Sequence, residues 1–514
     1  MTKHTDITFS NPKKRRGLLW GCVLIILALV GAACGSDELA QDPPTLTETT
    51  ESPIQTTEAP AQTTEAQPPS TSESCVDGLP DVAMQCGHLT VPVDYDEPGG
   101  STYSLPYVVL PALGGTPSDE PVAFLQGGPG YSTMSIVSFF VDNLELRQDR
   151  DMIFLEQRGT DPSGLFLDCD SPFDIQACYD GYVSDGIDLS SFTTLNSAKD
   201  LATLRSELGI ERWHLLGGSY GTTLAMVAMD NDPEGTASVI LDAPTAPDVI
   251  IYNADTESLL NAFSKVFDNC AADADCAERH PDLFNRHLAN FDTLATEPWN
   301  LTNPDLVAQA GPVLGPDFYF EVGVEVVQGS PGVLPALVTA VADRDEDALL
   351  ELFNGDPAED PDEPDDGPES GQSGFARGLN HSIYCAEEAP FFDLTTNPID
   401  TVDDWPADAF DLLLGINVID CDTWQVDAAD LGDVDRITSA IPTLILAGEY
   451  DHTTPLRQAE IAAAGLSNAE VIEVPSTGHT TLDNECARHI MVDFLQAPGG
   501  DRTCLATIEP IEWR

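Results

Sequence analysis

Positive charge is what this 514-residue chain most conspicuously lacks. Against 87 Asp and Glu stand 21 Lys and Arg, for a formal net charge of −66, and beyond residue 33 the only lysines are Lys199 and Lys265. So acidic a surface repels the phosphates of nucleic acid and of anionic lipid, and neither is an expected partner. It fits either solubility in a salty habitat, where counterions screen self-repulsion, or attraction of cationic substrates. An apolar segment long enough to span a bilayer is also missing: the run Gly17 to Val30 falls short of the about 20 residues required. No Cys-x-x-Cys pair or His cluster has metal-site spacing, so no metal and no cofactor are expected. There are no internal repeats.

What is present begins with an export leader. Lys13-Lys14-Arg15-Arg16 precedes the apolar run, and Gly31-Ala32-Ala33 supplies small residues for cleavage. Cys34 follows directly, then Gly35-Ser36, and the whole resembles a bacterial lipoprotein signal, with Gly31 where that motif usually carries a larger aliphatic residue. The resemblance implies processing of residues 1–33 and lipid on Cys34. The mature chain is then expected either on the outer face of the cytoplasmic membrane, held by the lipid anchor alone, or secreted. Residues 34–74 are rich in Thr, Glu and Pro and cannot bury enough apolar surface to fold, so they read as a tether.

Ten cysteines follow Cys34. An even number in an exported chain argues for disulfides. The simplest pairing joins neighbours: Cys75–Cys86, Cys169–Cys178, Cys270–Cys276, Cys385–Cys421 and Cys486–Cys504.

Short strand-like runs recur at residues 89–93, 107–110, 122–125, 152–155, 213–216, 239–241, 443–446 and 471–474. Several are continuously apolar, as in a parallel sheet covered on both faces. Helical patterns alternate with them, for example over 195–208, so the expected class is α/β. The last two strand runs come after a long interval that is helical over 259–267 and 333–353 and carries an acidic, proline-rich loop at 356–370. Three parts are expected: a core from 75–245, a large, mainly helical cap inserted at 246–440, and the completion of the core at 441–514.

One serine stands out. Gly217-Gly218-Ser219-Tyr220-Gly221 lies between a buried strand and an apolar helix, the setting of a nucleophile elbow. A serine hydroxyl needs a base, and the base an orienting acid. The strand Ile441–Leu446 leads into Ala447-Gly448-Glu449-Tyr450-Asp451, with Asp451 the preferred acid and Glu449 the fallback. The next strand leads to Pro475-Ser476-Thr477-Gly478-His479, which makes His479 the candidate base. His452 and His489 lack that placement. Two backbone N–H groups should form the oxyanion hole: Tyr220, after the nucleophile, and Gly128, or alternatively Gly127, in Gln126-Gly127-Gly128-Pro129-Gly130.

Together with Glu156-Gln157-Arg158-Gly159-Thr160, Thr454-Pro455 and the opening Cys86-Gly87-His88-Leu89, these motifs resemble the prolyl iminopeptidase and tripeptidyl aminopeptidase group of α/β-hydrolases, in particular its secreted, lipid-anchored actinobacterial members. The likeness runs from about Cys75 to Cys504. It implies an α/β-hydrolase fold with a mostly parallel central sheet. It also implies an aminopeptidase that releases single residues or short peptides from substrates with free N-termini. Gln126 departs from the histidine usual before Gly-Gly-Pro-Gly. Glu156 and Arg158 read as structural. Members of the group hold the substrate amine with cap carboxylates, which points to Glu387 or Glu388 in Cys385-Ala386-Glu387-Glu388. Two other readings stay open: a carboxylesterase or lipase with the same triad, and a non-catalytic surface-binding lipoprotein.

Overall fold

A computed structural model describes residues 75–76, 79, 82–114, 117–169, 174–247, 249, 251–354, 374–391, 421–429 and 437–514. The leader with Cys34, the tether and the acidic loop 356–370 lie outside them. The strands are β1 (Gln85–Pro92), β2 (Thr102–Leu110), β3 (Val122–Leu125), β4 (Met152–Leu155), β5 (Trp213–Gly218), β6 (Thr236–Asp242), the two-residue β7 (Trp299–Asn300) and β8 (Val313–Leu314), then β9 (Thr443–Gly448) and β10 (Ala469–Val474). Eight of them form one sheet in the order β1-β2-β4-β3-β5-β6-β9-β10. β2 runs antiparallel to both β1 and β4, and the other neighbours are parallel. Every residue of β3, β4, β5 and β9 is buried, which is why these strands read as unbroken apolar runs.

Helices before the interruption are α1 (Val137–Asp142), α2 (Ile175–Ser184), α3 (Thr194–Glu207) and α4 (Tyr220–Asn231). α3 begins where the Thr193 hydroxyl accepts the Asn196 N–H, a side-chain cap on an otherwise unpaired donor. Between β6 and β9 lie α5 (Ile251–Ala272), α6 (Ala274–Arg279), α7 (Leu283–Thr296), α8 (Pro304–Ala310), α9 (Pro316–Gly329), α10 (Leu334–Asp343), α11 (Glu346–Asn354) and α12 (Arg377–Glu387). The helical pattern read over 333–353 is broken at Arg344, which ends α10 with φ 52°. α13 (Leu456–Ala463) and α14 (Glu485–Gln496) complete the chain.

Of the single cap expected over 246–440, the described residues belong to two different cores. Residues 251–354 wrap a core of their own, built on Phe263, Phe267, Tyr319 and Leu337. Leu379, Ile383 and Trp424 instead join the core that packs α3 and α4 onto the main sheet. The difference lies in side-chain destination, which periodicity does not encode. All five neighbour disulfides are present.

Candidate active site

Parallel strands place their C-terminal ends along one edge, and loops leaving that edge carry the site. Gly218 of β5 stands opposite Asp242 of β6, and Asp242 opposite Leu446 of β9. Ser219 follows β5 with φ 53° and ψ −126°, a conformation that L-residues rarely adopt. The flanking glycines make the turn possible. A Cβ on Gly217 would lie 2.2 Å from the Gly221 carbonyl oxygen, and one on Gly221 would lie 2.0 Å from that of Leu125. The Ser219 N–H donates to the Asp242 carbonyl at 2.9 Å, tying the elbow to the next strand.

His479 Nε2 lies 3.0 Å from Ser219 Oγ, and its Nδ1 lies 3.0 Å from each carboxylate oxygen of Asp451. Asp451 is buried and held by the N–H groups of Thr453 (2.9 Å) and Thr454 (2.8 Å) and by the Thr454 hydroxyl (2.8 Å). Burial alone would raise its pKa. The charge and hydrogen bond of His479, with the bonds from Thr454, outweigh it and hold the carboxyl below its ordinary value. The fallback acid is engaged elsewhere: Glu449 accepts the Ser476 N–H at 2.9 Å and lies 3.9 Å from Lys265 Nζ. His452 is buried beside Asp451 but not bonded to it, and burial lowers its pKa to about 4. His489 sits in α14.

An open cleft of about 360 Å³ lies over Ser219. Gly127, Gly128, Gln126, Gln328, His479 and Asp483 line it, with an apolar wall of Phe124, Ile136, Phe139 and Leu482. Its volume is that of a small-ligand site. The Gly127 N–H is already given to Gln126 Oε1 at 3.0 Å, which favours Gly128 of the two as the loop's donor. Tyr220 is the first residue of α4, so its N–H has no acceptor within the helix and belongs to a terminus that favours negative charge.

The proposed amine anchors lie elsewhere. Both oxygens of Glu387 accept from Thr194, one from its N–H and one from its hydroxyl, each at 2.6 Å. Glu388 caps the end of α12. Neither is among the residues lining the cleft, where Asp483 is the one carboxylate among the described residues. The resemblance implies a cap position for Glu387, but its side chain turns toward the N-terminus of α3.

Arg158 is fully buried and forks onto Asp200, Nε to Oδ2 at 2.8 Å and Nη2 to Oδ1 at 2.7 Å. Glu156 accepts from Ser132, from Thr133 N–H (2.9 Å) and from Thr160 Oγ1 (2.7 Å), and burial raises its pKa to about 7. Both side chains brace loops at the sheet edge. Asp242 was missed from sequence, although its place at the C-terminal end of a buried strand was a signal. Among the described residues no cluster of His, Cys, Asp or Glu could hold a metal ion, and no helix is long and apolar enough to cross a membrane.

Sheet order, elbow and hydrogen-bonded chain of side chains are those of the α/β-hydrolase fold. A family model described as alpha/beta hydrolase fold matches residues 120–317, and one described as TAP-like protein matches residues 407–504. Serine protease Hip1 of Mycobacterium tuberculosis is 28% identical over 220 residues, covering 38% of this chain and 41% of that protein. Proline iminopeptidase of Lactobacillus delbrueckii subsp. bulgaricus is 25% identical over 241 residues, covering 43% of this chain and 74% of that enzyme. Among solved structures, proline iminopeptidase of Mycobacterium smegmatis aligns with a TM-score of 0.38 at 17% identity, over 80% of this chain and 98% of that one. The chain thus spans less than half the length of Hip1.

Proposed function

We propose that the protein is an exported, lipid-anchored serine aminopeptidase. The observation that carries the reading is the unbroken line from Ser219 Oγ through the His479 ring to the buried Asp451 carboxylate, at 3.0 Å on each side of the imidazole. Ser219 Oγ attacks the carbonyl carbon of the scissile bond as His479 Nε2 takes its proton. The N–H groups of Gly128 and Tyr220 stabilise the oxyanion. His479 returns the proton to the leaving amine, and water then attacks the acyl-enzyme by the same route in reverse. Asp451 holds the imidazole in the tautomer that can accept.

Peptide rather than ester substrates are favoured by the resemblance of the motif set and by the names of the relatives, serine protease and proline iminopeptidase. Asp483 at the cleft is the carboxylate best placed to meet a substrate ammonium. Export is supported by the leader pattern, with Cys34 as the lipid site, and by five disulfides, which persist in oxidising compartments.

The test uses full-length protein, its Ser219→Ala variant, and matched substrates: aminoacyl and tripeptidyl anilides, their N-acetylated forms, and short acyl esters. Turnover of free-amine anilides, lost in Ser219→Ala and weakened in KM by Asp483→Asn, is the expected result. Faster turnover of acyl esters than of any anilide would instead favour an esterase, and no fluorophosphonate adduct on Ser219 a binding protein.

A further inference from the structure

We infer that helix α12 sets the oxyanion hole from both sides, with Asn380 and Glu387 as positioning residues. The inference rests on the proposed serine hydrolase reading. On one side α12 grips the loop that carries Gly128. The Ala376 N–H donates to the Gly130 carbonyl at 2.8 Å, Asn380 Nδ2 to the Pro129 carbonyl at 3.1 Å, and the Tyr384 hydroxyl to the Gly128 carbonyl at 3.5 Å. Three successive carbonyls of the loop, beginning at Gly128, are thereby held by α12 and its N-cap residue, which restrains the backbone immediately next to the Gly128 N–H.

On the other side, the last residue of α12 reaches the nucleophile elbow. Glu387 binds Thr194, and Thr194 Oγ1 lies 2.8 Å from the phenolic oxygen of Tyr220, whose backbone N–H is the second donor. Thr194 is the first residue of α3, so its N–H is one of the four that a helix leaves unpaired, and a carboxylate is the natural acceptor there. Tyr220 is buried, so this phenol has few other ways to be satisfied.

The back of α12 is fixed independently. The Gly378 N–H donates to the Leu167 carbonyl, Trp424 Nε1 donates to Ser382 Oγ at 3.0 Å, and Cys385 is bonded to Cys421. The helix thus connects the sheet core to both donors without lining the cleft beside Ser219 through Asn380 or Glu387. Donors of this kind act because they are pre-aimed at the charge that develops in the transition state, so loosening their support reduces turnover more than ground-state binding.

The test compares wild type, Asn380→Ala and Glu387→Gln as full-length proteins on a free-amine anilide, together with inhibition by the matching peptide aldehyde. Ser219 Oγ adds to the aldehyde carbon as its proton passes to His479, giving a hemiacetal whose oxygen occupies the hole. The expected result is a fall in kcat of about 10-fold or more, KM changed less than about twofold, and a loss of aldehyde affinity parallel to kcat. Unchanged kcat and aldehyde affinity in folded variants would overturn the inference, as would a rise in KM alone. If Glu387→Gln does not fold, Asn380→Ala, which removes one amide at the half-buried face of α12, decides by itself. Failure of the catalytic reading is separately visible, because wild-type Ser219 would then take no fluorophosphonate.

Discussion

Asp242 accepts three hydrogen bonds from a single residue, Thr481: from its N–H at 2.8 and 2.9 Å and from its hydroxyl at 2.8 Å. Its own carbonyl accepts the Ser219 N–H. One fully buried residue therefore joins the nucleophile elbow to the loop that carries His479 two positions before Thr481.

Loss of that link should separate the base from the hydroxyl. Asp242→Ala is expected to lower kcat by about 10²-fold, the cost of a misplacement of about 1 Å, with KM little changed. Thr481→Val should lower it less, because the backbone N–H bonds survive. Steady-state kinetics and the rate of fluorophosphonate labelling of Ser219 measure both; equal rates in variant and wild type would refute the role.

Gly478 is pressed between two parts of the chain. A Cβ there would lie 2.1 Å from the Gln328 carbonyl oxygen in α9, a backbone atom that cannot swing aside. Gly478→Ala is expected to displace His479, abolish most turnover and cost about 1–3 kcal/mol of stability from overpacking. Urea titration and kcat read the two effects.

Arg158 lies away from the cleft, in a buried fork onto Asp200 with its ring-face neighbours Tyr95 and Tyr103 at 5.9 and 5.5 Å. Arg158→Ala leaves the Asp200 carboxylate buried without its guanidinium, held only by the Tyr95 hydroxyl at 2.7 Å, which should cost about 3–5 kcal/mol. Ser219 labelling of the protein that remains folded should match wild type at low temperature.

The pH dependence of stability combines opposing groups. Burial raises the carboxyls of Glu156 and Glu387 to about 7 and of Asp242 to about 6. The unfolded chain gives up these protons near pH 4, so between about 4 and 7 stability falls as pH rises. Burial lowers the imidazoles of His214, His381 and His452 to about 4 and of His287 to about 3. The unfolded chain protonates them near 6.5, so over nearly the same window stability falls as pH drops. The melting temperature should vary little from pH 4.5 to 7. Glu387→Gln removes one opposing slope, so its melting temperature relative to wild type should climb across that range; a constant gap in differential scanning fluorimetry would contradict the assignment.

The central strands β3, β4, β5 and β9 are legible as unbroken apolar runs because the sheet is covered on both faces there, whereas β1, β2 and β10 at and near the sheet edges keep exposed positions and show only a partial pattern. Ser219, Asp451 and His479 were legible for a related reason: each follows a strand of that sheet, and the glycines around Ser219 mark where backbones touch. Glu387, Asp242 and Asn380 were not. Their roles depend on where a side chain turns after the fold has formed, and in a chain with 87 acidic residues no single carboxylate stands out by composition. The division of the inserted region escaped for the same reason, since α12 and α10 are both ordinary amphipathic helices until their partners are known.

Ser219 and His479 are 260 positions apart in the chain. At translation rates of about 5–20 residues per second, the hydroxyl leaves the ribosome roughly ten to fifty seconds before its base. For that interval the growing polypeptide lacks the base of its triad, which is complete only once β9 pairs with β6 and β10 with β9. The order of the chain thus delays the triad until residue 479 has been made.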